Sequence, residues 1–418
     1  MTCGHGFTSK GLITLYGARI SQGLSFTGAT LENATGWAMD AQGMHVSDWL
    51  FLGGSYSSSE GFTARGGLRL IGVHVDGFVC CWGAHIKPHG EFGYAIAGRS
   101  LSITENLLMN EGSTAEGVVD LANAQIAEEI NLDGAALSNP RGQALTAERL
   151  TVGDSVLCTQ GFTVQGAISF ADSKIGGSLD FTGAHLSEPV GNTLNLRGVT
   201  ARTLITRPAT PPGQVDLRHA SVVVLDDNPE TWPARTLLRD FTYQNIEHDR
   251  SVSVAARLSW INRDGEGYIP QPYEQLISAY RAAGQEEAAR KVAITKRRRQ
   301  RQVINPAAKT WNWLLYLTIG YGYRTWQAGL WLLGLLLIGT AVFAHAYPTG
   351  MTATRHHPMP FNAPIYTLDV VLPIINLGQQ DSWQPTGTTL GMYWALIILG
   401  WALTSALVAG LTGLVKQD

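Results

Sequence analysis

The first half of the chain consists of short runs in which apolar and polar residues alternate, and each run leads to the motif G-A-x-[IL] or a close variant. Residues 11–20 (GLITLYGARI) and 23–31 (GLSFTGATL) show this pattern in direct succession. Similar pairs return within residues 67–86, 123–137 and 171–186. Within each pair an apolar residue recurs after 11 residues, at Ile20 and Leu31, Val75 and Ile86, Ile126 and Leu137, and Ile175 and Leu186.

Alternation with a period of two predicts β-strands, and strands this short cannot each bury an apolar face alone. Stacked coils bury a continuous column of Ile, Leu, Val, Phe and Ala, so we predict a parallel β-solenoid over residues 1–226. Glycine suits corners that need a positive φ, and five glycines are predicted to occupy equivalent corners: Gly28, Gly72, Gly83, Gly134 and Gly183. The segments resemble pentapeptide-like and related right-handed β-helix repeats, which implies a right-handed coil, although the 11-residue interval departs from a strict repeat of five.

A helical pattern replaces the alternation after residue 226, and we predict a cytoplasmic helical linker over residues 227–304. Residues 270–302 begin with prolines, and apolar residues then follow at helical spacing: Tyr273, Leu276, Ile277 and Tyr280. A turn is predicted at Gly284, and two i,i+4 ion pairs of favourable orientation follow it, Glu286–Arg290 and Glu287–Lys291. The linker is therefore predicted to contain a helical hairpin that ends in a basic helix.

The basic helix carries seven cations in twelve residues: Arg290, Lys291, Lys296, Arg297, Arg298, Arg299 and Arg301. Such a cluster can bind an anionic membrane surface, where each cation contributes roughly 1 kcal/mol, or it can bind nucleic acid or simply be solvated. A membrane is the favoured partner because apolar segments follow, and the bilayer surface is expected to contact Arg297, Arg298, Arg299 and Arg301. The net charge of -3 gives no global basic field, so nucleic acid is not an expected partner.

Two long apolar segments follow the linker, at residues 327–347 and 389–415. The first has 21 residues without a formal charge, which matches the roughly 20 residues that a helix needs to cross a bilayer. The loop between them holds one full cation, Arg355, so the positive-inside rule predicts that both termini are cytoplasmic. Because the chain opens without the pattern of a signal peptide, we expect a multi-pass plasma-membrane protein with a cytoplasmic solenoid.

A shorter apolar segment lies between the two spans, at residues 361–384, with Asn362 as a candidate N-cap and Pro364 in the first helical turn. It has too few apolar residues to cross a bilayer, which is typical of a re-entrant pore helix. Polar backbone that follows such a helix is tolerated at membrane depth only where it lines a cavity. Within the segment, Asp369 would stand beside or behind a channel filter; alternatively it is hydrogen-bonded to a neighbouring subunit or protonated.

The order of span, short helix, polar segment and span resembles the two-span pore domain of the potassium-channel superfamily. Residues 375–381 (INLGQQD) keep the glycine and aspartate of the filter motif T-T-V-G-Y-G-D at Gly378 and Asp381. The resemblance implies a homo-oligomer, a tetramer in that family, with a cation path lined by Asn376, Leu377, Gly378, Gln379, Gln380 and Asp381. Residues 318–322 (TIGYG) match the motif more literally, but they precede the first span and no pore helix stands before them. We interpret residues 305–326 as an aromatic interfacial helix.

Candidate chemical sites are few. The four cysteines show no C-x-x-C spacing and are interpreted as small buried apolar residues in a reducing compartment. One possible metal site would use His74, Cys80, Cys81, His85 and His89. Alternation between core and surface is the preferred interpretation of these residues, and we expect no metal and no cofactor. His356 and His357 in the loop between the spans could sense pH, or they could belong to a solvated loop.

Nearly the whole chain is similar to actinobacterial proteins commonly labelled membrane-associated oxidoreductases, through the solenoid, the hairpin YIPQPYEQL…AYRAAGQ, TIGYGYR and LGQQDSWQP. The label implies an enzyme, but the sequence has no G-x-G-x-x-G after a strand, no redox cysteine pair and no recognisable haem or iron–sulfur spacing. We therefore do not expect an enzyme. The favoured function is an oligomeric cation channel with a regulatory cytoplasmic solenoid, and the alternative is a membrane-anchored scaffold that does not conduct ions.

Overall fold

The computed structural model describes residues 1–4, 6–54, 61–89, 93–187, 193–247, 252–303, 326–354, 356–372 and 376–411. The chain divides into two compact units, Met1–Ala293 and Ile294–Asp418. The first unit contains a parallel β-solenoid of about 9 turns followed by helices, and the second contains two long apolar helices. The predicted solenoid and the two apolar helices are thus confirmed.

Two sheets form the solenoid, and the described pairings within them are parallel. The first sheet contains the strands Thr8–Lys10, Ile13–Thr14, Thr30–Asp40, Thr63–Arg69, His85–Ile86, Tyr94–Ala97, Thr114–Glu116, Val118–Asp120, Ala136–Thr146, Thr163–Ser169, His185–Ser187, Leu194–Asn195, Gln214–Asp216 and Arg235–Leu237. The second contains Arg19–Ile20, Leu24–Ser25, His45–Val46, Leu50–Phe51, His74–Val75, Val79–Cys80, Ser102–Ile103, Leu107–Leu108, Gln125–Ile126, Ile130–Asn131, Thr151–Val152, Val156–Leu157, Lys174–Ile175, Ser178–Asp180, Thr200–Thr206, Ser221–Asp227 and Thr242–Ile246. Because most strands are so short, each depends on the equivalent strands of the coils next to it.

Equivalent apolar residues of successive coils stack in register. One such column runs through the second sheet: Leu24, Leu50, Val79, Leu107, Ile130, Val156, Leu179, Leu204, Leu225 and Ile246. The sequence separation between stacked residues is not constant, since the step from Leu50 to Val79 is longer than the step from Leu204 to Leu225. Full burial of a Val, Leu or Ile side chain is worth about 1.5–3 kcal/mol, so this column is a main source of the solenoid's stability.

The constant interval seen in the sequence does not correspond to a complete coil. Ile20 pairs with Val46 in the second sheet, whereas Leu31 pairs with Ala64 in the first sheet. The interval from Ile20 to Leu31 therefore leads around a corner from one sheet to the other within the same coil. The rest of the coil varies in length, which explains why no single period describes the sequence.

The corners are tight turns with a residue of positive φ. Gly28, Gly83, Gly134 and Gly183 have φ values of 70°, 56°, 67° and 69°, and each precedes a strand that belongs to the same stack in the first sheet. Gly72, with φ 64°, lies at the other corner of its coil, before a strand of the second sheet. The prediction of equivalent corners is confirmed for four glycines and was wrong for Gly72. Both corners need the same backbone conformation, so a glycine in the sequence does not indicate which corner it occupies.

The solenoid extends to Ile246, beyond the boundary predicted at residue 226. Arg235–Leu237 pairs with Gln214–Asp216, and Thr242–Ile246 pairs with Ser221–Asp227. The change of composition after residue 226 misled the prediction because its prolines and charges lie mostly in connecting segments, including a 3₁₀ helix at Pro229–Thr231.

Three helices follow the solenoid, at Val254–Ile261, Pro270–Ala282 and Glu286–Val303, and the first was not predicted. The other two are the predicted helices on either side of the turn at Gly284, where φ is 73°. The apolar residues named for the first helix of the hairpin are all buried: Tyr273, Leu276, Ile277 and Tyr280. Lys291 Nζ lies 2.9 Å from Glu287 Oε1, as the i,i+4 spacing predicts.

The second unit contains the first apolar helix (Trp326–Ala346), the short helix (Ala363–Val371), a helical turn (Gln379–Ser382) and the second apolar helix (Thr388–Leu411). Strands Met351–Ala353 and Trp383–Pro385 pair in antiparallel orientation. By length and composition, both apolar helices could cross a membrane, and few of the residues in their membrane-length windows are buried. Residues 304–325, which include TIGYG and nearly all of the predicted interfacial helix, lie outside the described residues.

Candidate functional site

The short helix packs against both apolar helices. The buried side chains at this contact form one cluster: Leu332, Phe343, Met351, Ala363, Tyr366, Val370, Val371, Leu396 and Leu403. Two glycines of the long helices permit the close approach. A Cβ atom on Gly339 would lie 2.4 Å from Thr367 Cγ2, and one on Gly400 would lie 2.3 Å from the carbonyl oxygen of Val371. Small residues at such positions let helix backbones come together, as is common between membrane helices.

The ends of the short helix follow from local chemistry. The side chain of Asn362 accepts a hydrogen bond from the backbone N–H of Ile365, and Pro364 lies in the first turn, as predicted. The helix ends after 9 residues, at Val371. At about 1.5 Å per residue it spans about 14 Å, less than half of a hydrocarbon core of about 30 Å.

The carboxylate of Asp369 connects this helix to the filter-like segment, which we define as residues 376–381. Asp369 is only 5% exposed, and its Oδ1 accepts a hydrogen bond of 2.8 Å from the backbone N–H of Leu377. Its Oδ2 accepts one of 3.0 Å from the backbone N–H of Gln380, whose side-chain amide donates to the backbone carbonyl of Asp369. A buried carboxylate is costly without such donors. The turn that Asp369 holds therefore explains why an aspartate can be buried at this position.

The backbone of the filter-like segment is folded into a turn. Gly378 has φ 74° and its N–H donates to Oδ1 of Asn376 at 2.9 Å. Residues Gln379–Ser382 then form one helical turn, closed by a 3.1 Å hydrogen bond from Ser382 Oγ to the carbonyl of Gly378. Within one chain the segment therefore differs from the extended row of carbonyls in a potassium filter. The motif's second glycine and aromatic residue are replaced here by Gln380 and Gln379, and both glutamine side chains form hydrogen bonds within the chain.

The predicted pore-lining residues fall into three groups by exposure. Gln379 is buried, its Nε2 donates to the carbonyl of Pro360 at 3.1 Å, and its Oε1 accepts from the N–H of Asn362. Gly378 and Gln380 are half-buried. The exposed residues are Asn376, Leu377 and Asp381, and these can face a solvent path or a second chain.

The loop that flanks the filter-like segment is tied to it on the other side. Thr354 donates from its backbone N–H to the carbonyl of Ser382 at 3.0 Å and from Oγ1 to the carbonyl of Asp381 at 3.1 Å. Trp383 Nε1 donates to the carbonyl of Met359 at 2.8 Å. The polar segment is thus held between the short helix and the strand pair.

The basic residues predicted to meet a membrane surface lie on another element, the helix Glu286–Val303. Arg298 and Arg299 are exposed and Arg297 is half-buried, and Arg301 belongs to the same helix. His356 and His357 are both exposed, which suits a solvated loop.

The five His and Cys residues considered as a metal site are not brought together. Cys80 and Cys81 are buried, and burial raises the pKa of the Cys80 thiol to about 11. Cys158 is buried as well, so three of the four cysteines are core residues, as interpreted from the sequence. His85 Nδ1 lies 2.9 Å from Thr114 Oγ1, whereas His74 lies next to His45 and Asp76. The sequence signal that was missed is the shared dipeptide His-Val at residues 45–46 and 74–75.

Comparison of this chain with known protein families, with curated proteins and with solved structures finds no match in any of the three. The function is therefore argued from the geometry of the chain itself.

Proposed function

We propose that the protein is an oligomeric membrane pore that conducts cations and that the solenoid regulates it from the cytoplasm. One observation carries the proposal: a helix of 9 residues packs against two long apolar helices and is followed by a polar turn that its own Asp369 holds in place. This arrangement supports the layout of a pore domain, with a re-entrant helix between two spans.

A membrane location is supported by the exposed surfaces of the two apolar helices. Large apolar side chains that are about half or more exposed include Leu330, Leu337, Ile338, Trp394, Ile398 and Trp401. An exposed apolar surface of this kind is costly in water and is expected to contact lipid or another copy of the chain. In a bilayer the short helix would enter and leave on the same side, because it is too short to cross.

The polar turn is the argument for a water-filled path. Peptide groups at membrane depth cost several kcal/mol each when they are unsatisfied, so irregular backbone there lines a cavity or is buried in protein. In a symmetric ring of subunits, the exposed Asn376, Leu377 and Asp381 of every chain would face one another across the axis. A ring of Asp381 carboxylates would favour cations. Gly378, Gln379 and Gln380 would hold the turn that presents them.

The test is reconstitution of the full-length protein in planar bilayers with a KCl gradient. We expect a current whose reversal potential is shifted towards the equilibrium potential of K⁺. Asp381→Asn should lower the conductance or the cation preference. Gly378→Val should abolish the current, because φ of 74° is strongly disfavoured for a β-branched residue. Asp48→Asn, which removes one exposed charge from the solenoid, is the control and should leave selectivity unchanged. Gly320→Ala and Gly322→Ala in TIGYG should also leave it unchanged.

The second candidate function is a membrane-anchored scaffold without conduction. It is favoured by the fact that Asp369, Gln379 and Gln380 form their hydrogen bonds within one chain, so these groups do not need an ion. Bilayers that contain the inserted oligomer but stay tight under every voltage, pH and osmotic condition would decide for the scaffold.

A further inference from the structure

Two histidines from successive coils are stacked on the solenoid surface. His45 and His74 are directly paired in the second sheet, and their ring centroids are 5.1 Å apart. One whole coil separates them along the chain, so the stack depends on the parallel register. Both side chains are partly exposed, at 40% and 43%.

Asp76 completes a group of three. It follows His74 by two residues, in the bend directly after the strand His74–Val75. Its Oδ2 lies 2.9 Å from His45 Nε2 and its Oδ1 lies 2.8 Å from His74 Nε2. Both imidazoles therefore contact the same carboxylate, which joins the three side chains into one group.

The three side chains supply the ligands that borderline metal ions prefer. One nitrogen from each imidazole and one carboxylate oxygen all lie within 4.8 Å of one another. In a tetrahedral zinc site, with bonds of about 2.0–2.2 Å, ligand atoms are roughly 3.3–3.5 Å apart. The nitrogen–oxygen distances here would therefore have to open by only roughly 0.5 Å to admit an ion.

We propose that His45, His74 and Asp76 bind one divalent transition-metal ion, for which Zn²⁺ is the best match, with an open position left for water. Two neutral imidazoles and one carboxylate suit Zn²⁺ better than Mg²⁺, which prefers oxygen ligands and octahedral geometry. The positions next to the two histidines along the stack hold Arg19 and Ser102, and among the described residues the cluster consists of His45, His74 and Asp76. Binding of Zn²⁺ at this site does not require that the second unit conducts ions.

The experiment is a calorimetric titration of chelator-treated full-length protein, prepared in detergent without a polyhistidine tag, with Zn²⁺ and separately with Mg²⁺. We expect one Zn²⁺ per chain at this site and no comparable binding of Mg²⁺. His45→Ala, His74→Ala and Asp76→Asn should each weaken the Zn²⁺ affinity by about tenfold or more, since each removes one of three ligands. Titration with Co²⁺ should give the visible absorption of a site with nitrogen ligands, and the same substitutions should remove it.

His219→Ala is the matched control. His219 Nδ1 lies 3.3 Å from Asp240 Oδ2 on the same solenoid. Among the described residues, no second histidine joins this pair to make a group of three metal-binding side chains. Its substitution should leave Zn²⁺ binding unchanged. If an alanine variant alters the thermal unfolding of the metal-free protein, the titration is repeated with His45→Gln or His74→Gln, which keep a polar side chain at the same position. Equal Zn²⁺ binding by the wild type and a variant without both histidines would overturn the proposal.

Discussion

At the scale of single residues, the backbone conformation of the corners selects the amino acid. The corner that precedes the second-sheet strands has a positive φ in coil after coil, at Gly17, Gly43, Gly72, Ser100, Asn123, Arg149, Asp172, Gly198, His219 and Asp240. For an L-residue this conformation costs roughly 1–2 kcal/mol, with Asn and Asp better tolerated than most. Glycine is thus one solution among several, and stacking of the coils sustains the others.

Gly43 allows the cost of this conformation to be measured. Its φ is 68° and an added Cβ would have no atom within 4 Å, so Gly43→Ala introduces backbone strain without a clash. We expect the substitution to lower the stability of the solenoid by about 1–2 kcal/mol, and Gly43→Asn to lower it by less. The measurement is thermal unfolding of the full-length protein, followed by circular dichroism at a wavelength dominated by β-structure.

Gly93→Ala is the control for this prediction. An added Cβ there also has no atom within 4 Å, but the backbone is not in the left-handed region. It should be neutral or slightly stabilising, because alanine reduces the entropy of the unfolded chain. Equal destabilisation by Gly43→Ala and Gly93→Ala would contradict a role for φ.

At the scale of secondary-structure elements, the position of the filter-like segment depends on how closely the short helix approaches the two apolar helices. The second apolar helix contacts the end of the short helix at Gly400, next to the carbonyl of Val371. Asp369 lies two residues before this point and holds the filter-like segment through Leu377 and Gln380. A shift of the short helix would therefore move the polar turn as well.

Gly400→Ala is expected to disturb this packing. The added Cβ would meet the carbonyl oxygen of Val371 at 2.3 Å, and backbone must move because no flexible side chain can give way. We expect a loss of about 1–3 kcal/mol in the stability of the second unit, as for other overpacked contacts. Thermal unfolding in detergent, followed by tryptophan fluorescence, measures it.

Gly391→Ala in the same helix is the matched control, since an added Cβ there has no atom within 4 Å. Alanine has a higher helix propensity than glycine by about 1 kcal/mol, so this variant should be unchanged or more stable. A Gly400→Ala protein as stable as Gly391→Ala would show that the two helices are not in the described contact.

At the scale of the whole molecule, orientation in a membrane is expected to depend on charge on the two sides of the apolar helices. The helix Glu286–Val303 carries the basic cluster, whereas the loop between the apolar helices has one full cation, Arg355. The positive-inside rule predicts that the basic helix, and with it the chain termini, is cytoplasmic.

Labelling with an impermeant thiol reagent tests this orientation in intact cells. Thr352→Cys, at an exposed position of the strand Met351–Ala353, should react from outside, and Gln300→Cys should react only after the cells are permeabilised. The parent protein is the control for its native cysteines, of which Cys80, Cys81 and Cys158 are buried. The reverse labelling pattern would place the solenoid outside.

Much of the architecture could be predicted from the sequence because local patterns reflect local geometry. The period of two indicated strands, the spacing of Tyr273, Leu276, Ile277 and Tyr280 indicated a helix, and Asn362 with Pro364 marked a helix start. Each of these signals acts within a few residues along the chain. They survive in the structure because tertiary packing buries the same faces that the patterns make apolar.

Only the tertiary structure decided three features: the length of each coil, the residue at which the solenoid ends, and which polar groups come together. The sequence shows a constant step around one corner, but the separation between stacked residues varies from coil to coil because the connecting segments differ in length. Local patterns carry no information on such long-range register, so they could neither place His45 beside His74 nor bring Asp369 to the backbone of Leu377 and Gln380. The sequence alone determined which faces are apolar, and packing of those faces determined which polar groups meet.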